Sequence, residues 1–158
     1  MGTQAAALAD RFERTNNELI ALIERLTDAQ WAAPNEADGW SIGVVAHHLA
    51  TDHPILAGFV EAVATGRPLP PWTMEMLHQY NARHAAEHRD CTREETLALL
   101  RREGAAAAGL VRRLTDEQLD RAAVVPWEGG PAVSARQLIE RKLIGHIGEH
   151  LGSIRAAR

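Results

Sequence analysis

The chain has 158 residues, enough for one domain with a sizeable core. Its formal net charge of −4, with no basic stripe interleaved with aromatic residues, argues against nucleic acid as a partner. The single cysteine, Cys91, excludes an internal disulfide and suits a reducing cytoplasm, and no run is long or apolar enough to cross a bilayer.

The N-terminus carries no signal-peptide pattern, and Ala6 stands where a myristoylation signal opening with Met1-Gly2 needs Ser or Thr. Leu8, Phe12, Leu19, Ile23 and Leu26 recur at helical spacing and predict a helix from about Gln4 to Leu26. Thr27-Asp28-Ala29-Gln30 has the form of a capping box, starting a short turn from which Trp31 packs back on the helices. Pro34 and Gly39 mark a loop. Ser41 reads as an N-cap, with Trp40 and Val45 placed as a hydrophobic staple. The second helix runs to about Ala64 and is closed by Gly66 and Pro68. Pro54 inside it deprives the Ala50 carbonyl of its partner and predicts a kink.

Arg67 to Pro71 is a proline-rich linker, too short to separate domains, and a third, more polar helix follows over roughly Trp72 to Arg89. Thr92 to Glu95 forms another capping box, opening a helix through Leu97, Leu100, Ala107, Val111 and Leu114. Thr115-Asp116-Glu117-Gln118 repeats the earlier turn. A loop with Pro126, Gly129, Gly130 and Pro131 leads to Ser134, which with Gln137 caps a final helix carrying Leu138 to Ile154. ERLTDAQW in the first half echoes RRLTDEQL in the second, and each precedes a loop, an N-cap serine and a histidine-bearing helix. Either two similar helix hairpins pack together, or Leu-Thr-Asp-x-Gln is a common way to restart a helix. No alternation of period two is sustained. The fold class is all-α, a four-helix bundle with an extra helix in the crossover.

His146 and His150 stand four apart in the final helix, so their Cβ atoms lie about 5–6 Å from each other on one face. Leu143, Ile147 and Ile154 fall on or beside that stripe, which turns it toward a core. Two imidazoles in an apolar interior need partners, and a metal ion is one. A third protein ligand is then expected. The second helix offers His47, His48, Asp52 and His53. His48 is the favoured ligand, sharing a face with Asp52, which would orient it or occasionally ligate. The competing reading makes His48 a core histidine bonded to a backbone carbonyl. The choice between His47 and His48 depends on the register of a helix bent by Pro54.

His84 and His88 are also four apart, but Asn81, Arg83, Glu87, Arg89 and Asp90 around them indicate a solvated surface pair, with Asn81 or His84 near enough to the bundle end to line a pocket. Both pairs read His-x-x-Glu-His, the inverted zinc-protease pattern. Glu149 is turned about 100° from His150 on a helix, which disfavours a peptidase. Cys91 has no histidine fixed beside it and reads as an ordinary structural thiol. Trp72, Tyr80 and Trp127 either wall a substrate pocket or seal a bundle end.

Trp40-Ser41, the eight residues from Trp40 to His48-Leu49, Asn81-Ala82-Arg83 and the terminal His-x-x-x-His resemble the DinB-like metal-binding superfamily, which includes mycothiol-dependent maleylpyruvate isomerases and bacillithiol transferases. The resemblance spans nearly the whole chain and implies one domain over residues 1–158. It implies a bundle of up-down-down-up order, with the long crossover between the second and third core helices. It also implies a divalent metal on His48, His146 and His150. The doubled His47-His48 and the His84/His88 pair lie outside the family pattern. Three imidazoles with open positions suit zinc, nickel or iron. The expected chemistry is Lewis-acid activation of a thiol or water, with a low-molecular-weight thiol attacking a small electrophile as in a transferase or isomerase. A single lysine, Lys142, against sixteen arginines, and abundant alanine, hint at a GC-rich genome and lean toward mycothiol. Arginines near the pocket would hold a carboxylated substrate. A metal-dependent hydrolase using bound water, or a non-catalytic metal- or ligand-binding protein, are the alternatives. Exposed apolar helix faces would allow a homodimer.

Overall fold

Leu8, Phe12, Leu19 and Ile23 are all buried on one face of α1 (Thr3–Arg25), the stripe that their spacing requires. The structure is a computed structural model that describes residues 2–35 and 39–156. Most of the loop expected between Pro34 and Gly39, and Met1 of the Met1-Gly2 reading, lie outside the described residues. Thr27 closes a complete capping box with Gln30 at the head of α2 (Asp28–Ala32), and Ser41 Oγ accepts from the Val44 N–H to start α3 (Ile42–Thr65). Trp31 does pack back. Its ring lies so close over Gly43 that a Cβ there would meet it at 2.6 Å. The α3 helix runs unbroken through Pro54 and ends on Gly66, whose φ of 73° is the left-handed conformation that glycine adopts without strain.

The crossover carries α4 (Met74–Glu87), which starts two residues later than its apolar pattern suggests because Thr73 is the N-cap. In α5 (Arg93–Arg112), Thr92 Oγ1 accepts from the Glu95 N–H, so the cap is present as half of the expected box. Four helical columns make the bundle: α1, α3, α5 and the C-terminal stretch, in up-down-down-up order with α4 in the long connection. The α5 helix packs along both α1 and α3, and the C-terminal stretch closes the other side. Phe12, Leu49, Leu100, Ile139 and Ile147 are fully buried between them. Each such side chain contributes about 1.5–3 kcal/mol relative to exposure.

The sequence echo is a structural one. Thr115 and Gln118 form the same reciprocal capping box at α6 (Asp116–Asp120) as Thr27 and Gln30 do at α2. After each short helix the chain makes an antiparallel bridge to the next N-cap serine. Pro34 pairs with Ser41, and β1 (Ala122–Ala123) pairs with β2 (Val133–Ser134), Ala122 opposite Ser134. In both halves the first residue of the following helix donates to a carbonyl before the loop: Ile42 to Ala33, Ala135 to Arg121.

The last helix differs from the regular one expected. A short α7 (Ala135–Leu138) passes into a π-helical turn, π1 (Ile139–Ile144), before α8 (Gly145–Ala156) resumes. Gly145 N–H donates to the carbonyl of Glu140, five residues back, and a Cβ on Gly145 would sit 3.1 Å from that oxygen. The wide turn needs a residue there with little bulk, and it delivers His146 directly.

Candidate metal centre and adjoining pocket

His48 enters the bundle from α3, and His146 and His150 face it from α8. One ring nitrogen from each lies within 4.8 Å of the others. His146 Nε2 and His150 Nε2 are 3.2 Å apart, and the His48 ring meets the His146 ring edge-on at 5.4 Å between centroids. Trp40 packs edge-on against His48 at 5.6 Å, which gives the tryptophan-to-histidine spacing a physical role: the indole seats the imidazole. Asp52, one turn along α3, places Oδ2 3.1 Å from His48 Nε2 and 3.8 Å from His146 Nδ1.

Burial pushes Asp52 up to about 7. Burial, joined by the neighbouring histidines, pushes His48 down to about 3 and His146 to about 4, with Lys142 adding to the effect at His146. The His48–Asp52 contact is therefore a hydrogen bond between a neutral imidazole and a carboxyl group, not an ion pair. Neutral rings keep the lone pairs that a cation needs. His48 Nδ1 is buried without a hydrogen-bond partner, a cost that a purely structural core histidine would avoid. The donor set of three imidazoles beside one carboxyl group fits a borderline divalent ion.

The other two histidines of α3 have separate roles. His53 is satisfied: its Nε2 lies 2.8 Å from Asn16 Oδ1, and its ring packs edge-on against Phe12. His47 turns toward α4, where the expectation of a solvated His84/His88 pair fails for His84. That ring is 5 % exposed, stacks near His47, and is the only residue of α4 that is buried. A quarter turn separates the faces of consecutive helical residues, so His47 and His48 look into different neighbours. Glu149 and Glu87, the inner acids of the two His-x-x-Glu-His runs, are both exposed. Cys91 is half-buried, and burial pushes its thiol up, in keeping with an ordinary structural residue.

A cavity of about 300 Å³ opens beside His48, Asp52 and His146. Trp72, Tyr80 and Trp127 all line it, with Phe59 packed on both tryptophans, so these aromatics wall a pocket. Asn81 lines it as anticipated; His84 does not. The expected arginines are missing from its wall. Lys142 is the lining cation, held by Glu128 at 2.5 Å. Lys142 has no role at the site as read from the sequence; its spacing of four from His146 is the signal that could have found it.

Metal-free protein is expected to lose stability on acidification. An unfolded histidine titrates near 6.5. His48 is held at about 3 and His53, His84 and His146 at about 4, so between those limits the unfolded chain binds protons that the folded chain refuses. Stability is then complete above the unfolded value and falls as pH drops toward the folded ones. Asp52 works in the opposite sense between about 3.9 and 7, but one carboxyl group opposes four rings. The unfolding midpoint of chelator-treated protein should fall steadily from pH 7 to pH 5; a flat or rising midpoint would contradict the assignment.

The bundle and site define a DinB-like protein, and the chain belongs to the mycothiol maleylpyruvate isomerase N-terminal domain family, whose profile matches residues 12–144. The match ends just before His146, so the C-terminal pair rests on this chain's own geometry. Among solved structures, YfiT from Bacillus subtilis superimposes with a TM-score of 0.77 at 20% identity, covering 99% of this chain and 87% of that one. It is described as "a probable metal-dependent hydrolase with an unusual four-helix bundle topology". At that identity the likeness establishes the fold. No curated protein sequence matches the chain.

Proposed function

We propose that His48, His146 and His150 hold a divalent ion and that the protein is a thiol-dependent transferase or isomerase for a small electrophile, working in the cytoplasm with a mycothiol-type thiol. The observation that supports this most is that the imidazole group opens into an aromatic-walled cavity with one cation, Lys142, on its side. The donor set suits zinc, nickel or ferrous iron. When bound, such an ion supplies Lewis-acid activation of a thiol at neutral pH. The chain's own groups do the rest. Asp52 Oδ2 orients His48 through Nε2 and stands at the cavity wall, where it would accept the proton that the thiol releases. Phe59, Trp72 and Trp127 exclude water and pack the body of the electrophile. Lys142 Nζ would leave Glu128 to hold a substrate carboxylate.

The test is consumption of a carboxylated electrophile by metal-loaded protein with and without mycothiol. Thiol-dependent turnover is expected, lost in His150→Ala, with KM for the electrophile raised about tenfold in Lys142→Ala. Turnover surviving in His150→Ala would contradict the proposed ligands. Turnover without any thiol would favour the second reading, a hydrolase using the same centre with water, which the description of YfiT supports.

A further inference from the structure

Six of the eight histidines fall into two groups of three. His48 goes with α8, while His47 meets His84 of α4 and His88, the C-cap of that helix, and one ring nitrogen from each of these three also lies within 4.8 Å of the others. We propose that His47, His84 and His88 form a second metal centre, which takes a borderline divalent cation such as zinc and fastens the crossover helix α4 to α3.

The geometry is close. His47 Nδ1 and His84 Nε2 are 2.9 Å apart, and the His88 ring stacks at 4.2 Å from His47 and 4.6 Å from His84. His47 is 2 % exposed and His84 is also buried, so these two are not solvated side chains. His84 Nδ1 is buried with no hydrogen-bond partner, the same unmet nitrogen that marks His48. Burial, then His88, lowers His47, and burial, then His47 and His88, lowers His84, so these two buried rings keep the lone pairs that a cation needs. An all-nitrogen donor set with no carboxylate or thiolate favours zinc, nickel or copper over magnesium or calcium.

The packing of α4 gives the centre a purpose. Its principal contact is with α3, and its only buried residue is His84, while Met74 and Met76 are exposed. A helix with so little apolar surface in the core is weakly held by burial alone. Yet Leu77, Tyr80 and Asn81 of this helix line the cavity beside the first centre. A cation on His47, His84 and His88 would tie that wall to the bundle at both ends of one helical turn. The two centres adjoin, because the His48 and His84 rings meet at 5.6 Å between centroids. The inference does not depend on the chemistry proposed for the first centre.

The experiment is zinc content per chain after removal of free ion, in full-length protein and in His150→Ala, His88→Gln and the double variant. Two ions are expected in the parent, one in each single variant and none in the double. His88 is only half-buried, so its replacement should leave the fold intact; His84→Gln is the independent check. In the His150→Ala background, zinc should slow amide exchange in α4 by about 100-fold when free ion exceeds its dissociation constant a hundredfold. Absence of zinc from His150→Ala, or zinc retained there after His88→Gln, would overturn the second centre. Zinc lost with His88→Gln but unaffected by His150→Ala would uphold it and instead sink the first.

Discussion

His48→Ala should lower zinc affinity at the α3–α8 centre by more than about 100-fold, beyond the 10–100-fold typical of losing a group that merely orients a ligand. His48 is the only ring that α3 contributes to this triad, so its removal leaves two imidazoles and a carboxyl group. Asp52→Asn should fall inside the 10–100-fold range, because Asn keeps an oxygen near His48 Nε2 but cannot carry the charge. Competition against a chromophoric chelator at pH 7 measures both. The stability of metal-free His48→Ala should suffer less than its affinity does, since the substitution also deletes the unpartnered Nδ1. Equal affinity in parent and His48→Ala would show that α3 does not contribute this ligand.

The largest expected effect on stability is at Phe12. Its ring is fully buried where α1 meets the other core helices and packs edge-on against His53 at 5.1 Å. Phe12→Ala removes the ring from water-free contact and leaves a cavity, at a cost of about 3–5 kcal/mol. For a domain holding about 5–15 kcal/mol in total, that is a large share. With about 2–4 °C lost per kcal/mol at this chain length, the midpoint should drop by about 6–20 °C. Thermal melts of chelator-treated protein at pH 7 read this directly. A drop of only a degree or two would mean that His53 and its neighbours collapse into the space. The Asn16–His53 hydrogen bond argues against that collapse, because Asn16 is itself tied through Nδ2 to the Leu100 carbonyl.

The features legible in the sequence are those set by physics that acts over short spans. Capping boxes at Thr27, Thr115 and Ser134, the closing glycine at Gly66 and the apolar stripe of α1 depend on neighbours within four residues, and all stand as read. The proximity of His146 and His150 is of the same kind. The environment of α4 was not legible that way. Its polar composition indicated a solvated helix, yet His84 is buried because a neighbour from α3, His47, supplies a surface it can stack on. Long-range pairing of this sort leaves no periodic trace. No arginine lines the pocket, and several pair instead with acids on the outer surface, as Arg112 does with Asp10 and Glu13. The doubled His47-His48 was the available signal, since adjacent helical residues must face different neighbours.

The π turn ahead of His146 makes the two histidine-bearing helices unequal in how they tolerate a change of length. A π turn holds one residue more than a regular α-helical turn, so the surplus is absorbed locally and is not passed on as rotation. Deleting a single position between Ile139 and Ile144 would let a regular ladder form and leave both imidazoles of α8 aimed at His48. The α3 helix has no such slack between Ser41 and His48, where its ladder is already regular. A one-codon deletion there would turn His48 by about 100° from its cap and put another side chain in its place. The same small lesion thus spares the metal centre in one helix and abolishes it in the other, although both variants keep a well-formed helix.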